Sequence, residues 1–186
     1  MDVACAGVSS GTERLLWTGW MPPFPRMGYR LVPGYKPVGK LVDAGPEAVD
    51  RIGEHVFVPG ANGRTDARGL FGNNASRLII PAARATALPV SLREDGVLLA
   101  LAATARHAIA GGPAPDLIVG HGVLGRLLAR IVIAQCDAAP TVWETDSARH
   151  GGALGYDVIP PDADARRDYR CICDGMRAGR LACSIC

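Results

Sequence analysis

The 186 residues carry 20 Lys and Arg against 18 Asp and Glu, a net charge of +2 spread along the chain. No basic block is interleaved with aromatics, which argues against a nucleic-acid partner, and Arg, His or Gly breaks every apolar run before the roughly 18 residues of a membrane span. Apolar residues make up 48% and aromatics only 5%, so the chain can bury a core built mainly from Ala, Val, Leu and Ile. The length suits one large domain or two small ones. The N-terminus lacks the basic region and apolar run of a signal peptide, which makes cytoplasm the expected location.

Val3 to Val8 is a small apolar run. The stretch from Trp20 to Arg30 holds Pro22, Pro23 and Pro25 and cannot be a regular helix interior. Residues 31–35 lead into 38–42, with strand composition punctuated by glycine. His55 to Val58 reads as a short strand closed by Pro59-Gly60. Residues 59–75 read as a loop, and residues 76–80 as a further strand closed by Pro81. From Gly96 to Ala110 the chain is rich in Ala and Leu without proline, which predicts a helix ended by Gly111-Gly112-Pro113. The chain is therefore read as a β-rich half, a linking helix and an α/β half.

Residues 116–130, DLIVGHGVLGRLLAR, carry the strongest chemical signal. An apolar run ends in Gly120-His121-Gly122-Val123-Leu124-Gly125 and passes directly into a helical pattern. This is the strand–turn–helix setting of a dinucleotide-binding turn. Gly120 permits the tight turn, Gly122 lets a pyrophosphate approach the backbone, and Gly125 lets the helix pack on the strand. His121 is expected to line the pyrophosphate, and Val123 and Leu124 open the helix whose free N–H groups face it. Leu124, Leu127, Leu128 and Ile131 predict the face of a helix over 123–135. The next strand, 140–144, ends in Glu144, 19 residues after Gly125. That matches the roughly 20-residue interval at which a carboxylate meets the ribose hydroxyls. An acid there favours NAD over NADP, because it repels a 2′-phosphate. Arg149 is either an adenine-stacking group or a solvated helix charge. A short helix around 147–154, a strand at 156–159 and a last strand at 169–173 complete the reading.

Two of the six cysteines, Cys5 and Cys136, stand alone in apolar patterns and read as core residues. Cys171, Cys173, Cys183 and Cys186 invite a tetrahedral zinc reading. Against it, Cys171 and Cys173 flank one strand residue, and Cys183 and Cys186 have little chain beyond them to wrap a metal, so no metal is expected.

The order of elements resembles the medium-chain dehydrogenase/reductase superfamily, in which a GroES-like β-rich domain precedes a Rossmann domain. The strings that carry the resemblance run from about residue 3 to Asp174. They include Ser10-Gly11-Thr12-Glu13-Arg14-Leu15-Leu16-Trp17, Leu31-Val32-Pro33-Gly34-Tyr35, His55-Val56-Phe57-Val58-Pro59-Gly60-Ala61-Asn62, Val119 to Arg126, and Val142-Trp143-Glu144-Thr145. The resemblance implies a GroES-like domain over 1–95, a linking helix over 96–115, a partial Rossmann NAD-binding domain over 116–174 and a divergent tail over 175–186. It is strongest to the branch that oxidises the 3-(1-hydroxyethyl) group of a bacteriochlorophyllide to a 3-acetyl group in bacteriochlorophyll a biosynthesis. A chlorin macrocycle would be the substrate, NAD the cofactor and a homodimer one assembly.

Zinc-dependent relatives carry a Cys near position 9 and a His near 35, where this chain has Ser9 and Tyr35. The chain therefore looks like a zinc-free branch, in which a protein group must take the alcohol proton. Tyr35, His107 and Thr12 are the catalytic candidates, with Ser9 beside them. Each also has a plain structural reading: Tyr35 as a packed turn residue, Thr12 as a helix cap, His107 as a satisfied helix histidine. Lys36 stands where the family pattern usually has Glu. The family chain is longer at both ends, so the expectation is a truncated polypeptide that binds NAD weakly and turns over nothing. Two other readings stand beside it: a zinc-free NADPH-dependent quinone-type reductase, and a noncatalytic dinucleotide-binding module.

Overall fold

The computed structural model describes residues 1–23, 27–61, 67–136, 139–161 and 181–183, the last for its backbone only. Two compact units appear, Met1–Ala100 and Leu101–Cys186.

The first unit is built on an antiparallel sheet in the order β1-β3-β4-β6. Its strands are β1 (Asp2–Ala6), β3 (Pro37–Lys40), β4 (His55–Phe57) and β6 (Thr86–Ala87). Pro37 opens β3, the strand position that needs no ladder N–H. Gly39 lies against β1 so closely that a Cβ would stand 2.0 Å from the Asp2 carbonyl oxygen, which explains a glycine in mid-strand. A two-stranded parallel pair, β2 (Leu31–Val32) and β5 (Arg68–Gly69), lies beside it in sequence. Met1, Leu41, Val56, Val58, Ala61, Leu78 and Ala85 form the core of this unit. Helix α1 (Thr12–Thr18) turns inward only Glu13 and Leu16.

The second unit is a parallel sheet in the order β10-β7-β8-β9. It comprises β7 (Leu117–Val119), β8 (Thr141–Trp143), β9 (Asp157–Ile159) and β10 (Leu181–Cys183). Two helices, α2 (Leu99–Ala108) and α3 (Val123–Cys136), accompany it in the chain. Ile118 and Val142 are fully buried and pack with Leu128, Ala129 and Val132 of α3. Burying each such side chain contributes about 1.5–3 kcal/mol. Leu124, Leu127 and Ile131 flank that cluster as the periodicity predicts. The fold is thus a GroES-like β-rich unit followed by a partial Rossmann unit.

Several local expectations change. The strand expected over 76–80 is only a bridge from Arg77 to Asp2, because pairing there reaches no further than Met1–Val3. The expected loop over 59–75 contributes β5. The helix expected near 147–154 is a single 3-10 turn, Ser147–Arg149. Cys136 is exposed and Cys5 half-buried, so neither is a core thiol. The expected strand at 169–173 lies outside the described residues. Within residues 175–186, Leu181–Cys183 supply β10, parallel to β7.

Candidate dinucleotide-binding site

The turn after β7 is set by backbone geometry. Gly120 has φ 97°, which a side chain would strain, and its N–H donates to the Trp143 carbonyl at 2.7 Å. Gly125 is buried on α3, where the helix meets its unit's core. Gly122 differs, since a Cβ built there would meet no atom of the described residues within 4 Å. Packing within the protein does not demand a glycine at this position. The open space in front of it is the cradle a phosphate group would need. The first N–H groups of α3 lack intrahelical partners and carry the positive end of its dipole, so the residues present fit a pyrophosphate.

Glu144 stands at the end of β8, only 7% exposed, against this turn. One carboxylate oxygen accepts from the His121 backbone N–H at 2.9 Å and the other from the Asp146 N–H at 3.0 Å. Burial pushes its pKa up, but the N–H groups of Asp146, His121 and Thr145, with the Arg149 charge, hold it below the usual carboxylate range. The ionised form is therefore the one the loops are built around.

His121 does not present its ring to a phosphate. The ring is fully buried, with Nδ1 2.5 Å from the Arg149 carbonyl oxygen and Nε2 2.8 Å from the Tyr156 hydroxyl. A carbonyl only accepts, so Nδ1 carries the proton and Nε2 accepts from Tyr156. Burial raises the Tyr156 pKa, against the nearby Arg130 and Arg126 charges, which keeps the hydroxyl protonated to donate. The correction follows from reach: a partner 35 residues away claims the ring, and only the backbone of His121 faces the turn.

Arg126 ties the same pieces together. Its Nε donates to the His121 carbonyl at 3.1 Å and a terminal nitrogen to the Arg149 carbonyl at 3.2 Å. The Arg149 side chain is half exposed and pairs with Asp146 at 3.5 Å. Sequence reasoning missed Arg126, Asp146 and Tyr156 as supports. The signal for Arg126 was its position one helical turn past Gly122, and for Asp146 its place as an N-cap before Ser147.

In the first unit, the catalytic candidates divide. Tyr35 is half-buried, edge-on to Phe71 at 5.2 Å, with the Lys36 ammonium 5.0 Å from its ring centre. Burial, and then the Glu13 charge, raise the Tyr35 pKa and keep the phenol protonated. The Ser9 hydroxyl accepts from the Gly11 and Thr12 N–H groups at 3.2 Å each, so Ser9 braces the start of α1. Thr12 itself is exposed. Glu13, which sequence reasoning passed over, accepts from the Ser9 N–H at 3.0 Å. His107 is an exposed residue of α2 in the second unit.

A GroES-like unit followed by a parallel sheet with this turn is the fold of the zinc-type medium-chain dehydrogenases. It superposes with a TM-score of 0.67 on a protein from Sinorhizobium meliloti described as a zinc-binding dehydrogenase bound to NADP, at 18% identity over 86% of this chain and 53% of that one. A structure from E. coli CFT073 described as a short chain alcohol dehydrogenase complexed with NADH gives 0.65, at 16% identity over 97% of this chain and 60% of that one. More specifically, the chain is 55% identical over 184 residues to the 2-desacetyl-2-hydroxyethyl bacteriochlorophyllide A dehydrogenase of Rhodobacter capsulatus. That match covers 97% of this chain and 59% of the relative's length. No protein-family model matches the sequence.

Proposed function

We propose that this chain carries the β-rich unit and the adenosine-binding part of an NAD-dependent dehydrogenase. Its reaction would oxidise the 3-(1-hydroxyethyl) group of a bacteriochlorophyllide to a 3-acetyl group. The single observation that carries this is the 55% identity to the Rhodobacter capsulatus dehydrogenase over 97% of this chain, a span that takes in both the Tyr35 region and the glycine turn.

The dinucleotide is assigned to the turn because of Gly122 and the N-terminus of α3. The backbone N–H groups of Val123 and Leu124 would hold the pyrophosphate, and Glu144 the adenosine ribose. One Glu144 oxygen accepts from the His121 N–H and the other from the Asp146 N–H, and a carboxylate oxygen has a second lone pair to offer a ribose hydroxyl. A 2′-phosphate would meet that carboxylate, which favours NAD. Arg149 lies at the rim of this site, where its planar guanidinium suits the adenine. When bound, the cofactor supplies the acceptor for the hydride that leaves the alcohol carbon.

The first unit supplies the proton chemistry. Ser9 and Glu13 share a hydrogen bond, Tyr35 and Lys36 a cation–π contact, and the Glu13 charge acts on Tyr35. Lys36 is buried with its amine 5.0 Å from the Tyr35 ring centre, and Ser9 and Tyr35, at the positions where zinc-dependent relatives carry Cys and His, are poor zinc ligands. This supports a zinc-free site in which the Glu13 carboxylate takes the alcohol proton beside the protonated Tyr35 phenol. Tyr35 is the strongest of the sequence candidates, with Thr12 at the edge of the cluster.

The reading is tested by grafting these residues into the corresponding segment of the Rhodobacter capsulatus dehydrogenase and following conversion of the hydroxyethyl pigment with NAD. Appearance of the 3-acetyl pigment is the expected result. A graft that folds and binds NAD but leaves the pigment unoxidised would overturn it.

A further inference from the structure

A cavity of about 740 Å³ opens in the first unit between α1 and the 29–33 segment. Its walls are largely apolar and aromatic, with Val8, Leu16, Trp17 and Tyr29 among them. Trp17 is 91% exposed and Trp20, near it in the chain, 81%, a large ring surface for one short helix to leave in water. Into this apolar surround the chain places Glu13, 9% exposed, whose Oε1 is buried and has no hydrogen-bond partner among the described residues. Asn74 lines the same cavity, and its Oδ1 is likewise buried without a partner among the described residues.

Two acceptors without donors at one cavity are a physical anomaly. A buried acceptor left unpaired costs about 1–3 kcal/mol, more when it is charged. The other Glu13 oxygen is satisfied by the Ser9 N–H, so the carboxylate is held in place with one oxygen in reserve. A ligand that suits the cavity is therefore flat and apolar, and brings a hydroxyl donor.

We infer that this cavity docks the substrate ring, with its hydroxyl donating to Glu13 Oε1 and its apolar face lying on Trp17 and Tyr29. The inference rests on the proposed pigment reaction and assigns where the pigment binds. Glu13 is then the residue that tells the alcohol substrate from its ketone product, because the 3-acetyl group has no proton to donate. A charge-assisted hydrogen bond of this kind corresponds to about tenfold or more in affinity.

The test is equilibrium binding of the 3-(1-hydroxyethyl) and 3-acetyl bacteriochlorophyllides to the 186-residue chain, read by tryptophan fluorescence quenching. The wild-type chain is expected to prefer the hydroxyethyl pigment by about tenfold. Glu13→Leu should bring the two affinities together while leaving the 3-acetyl pigment bound. Trp17→Arg, at a fully exposed position that folding does not depend on, should weaken both pigments alike. Equal wild-type affinities, a preference that survives Glu13→Leu, or full affinity in Trp17→Arg would each overturn the site while leaving the pigment reading intact. Failure of the wild-type chain to bind either pigment while it still binds NAD would overturn both.

Discussion

The Glu144 carboxylate accepts the His121 backbone N–H at 2.9 Å, so the acid at the end of β8 and the glycine turn after β7 are fixed to one another. The residue proposed to select the ribose is also one that shapes the glycine turn. Replacing Glu144 by Ala would leave the His121 and Asp146 N–H groups without their acceptor. We expect a loss of about 1–3 kcal/mol, measured by denaturant unfolding.

The same carboxylate makes stability depend on pH. Its folded-state pKa lies below the ordinary value, so the unfolded chain binds the proton more readily. The contribution of Glu144 is therefore fully present above the usual carboxylate range and is lost as pH falls through its lowered folded-state pKa. The stability difference between wild type and Glu144→Gln should be largest near neutral pH and shrink towards strongly acidic pH. Melting curves across that range check the sign, and a gap that widened in acid would be inconsistent with it.

The buried His121 ring is a support for the turn. His121→Phe keeps the volume but leaves the Tyr156 hydroxyl without its acceptor and the Arg149 carbonyl with Arg126 as its remaining donor. A loss of about 1–3 kcal/mol follows from these lost hydrogen bonds. Tyr156→Phe should cost less, because only the Nε2 acceptor is orphaned. Comparing the two variants by chemical unfolding tests the ranking.

Gly122 and Gly125 should separate binding from folding. A side chain at Gly122 enters open space, so Gly122→Val is expected to shift stability by only about 0.5 kcal/mol. It fills the space assigned to the pyrophosphate and should weaken NAD binding by about tenfold or more. Gly125→Val places bulk where the helix is buried and should lower the melting temperature outright. Loss of stability in Gly122→Val would remove the argument that its bareness serves a ligand.

Much of this site was legible in the sequence because its signals are local. The β7 run, the glycines and the leucines of α3 lie in one continuous stretch, and Glu144 follows at the interval that a strand–helix–strand unit imposes. The direction of the His121 ring was not legible, because it depends on Tyr156 and on the Arg149 carbonyl, both far along the chain. Helix α1 was legible only through the reading of Thr12 as a helix cap, because seven residues carry too little periodicity; its other mark was Gly19, left-handed at φ 75°, just past its end. Glu13 was missed for a related reason. A Glu in a short exposed-looking helix reads as solvated until its cavity is seen.

The most direct test of the central claim is calorimetric titration of the 186-residue chain with NAD and with NADP. The account predicts that NAD binds and NADP binds about tenfold more weakly or worse, since its 2′-phosphate meets the ionised Glu144. Equal or tighter binding of NADP, or no binding of either dinucleotide by the folded chain, would contradict it.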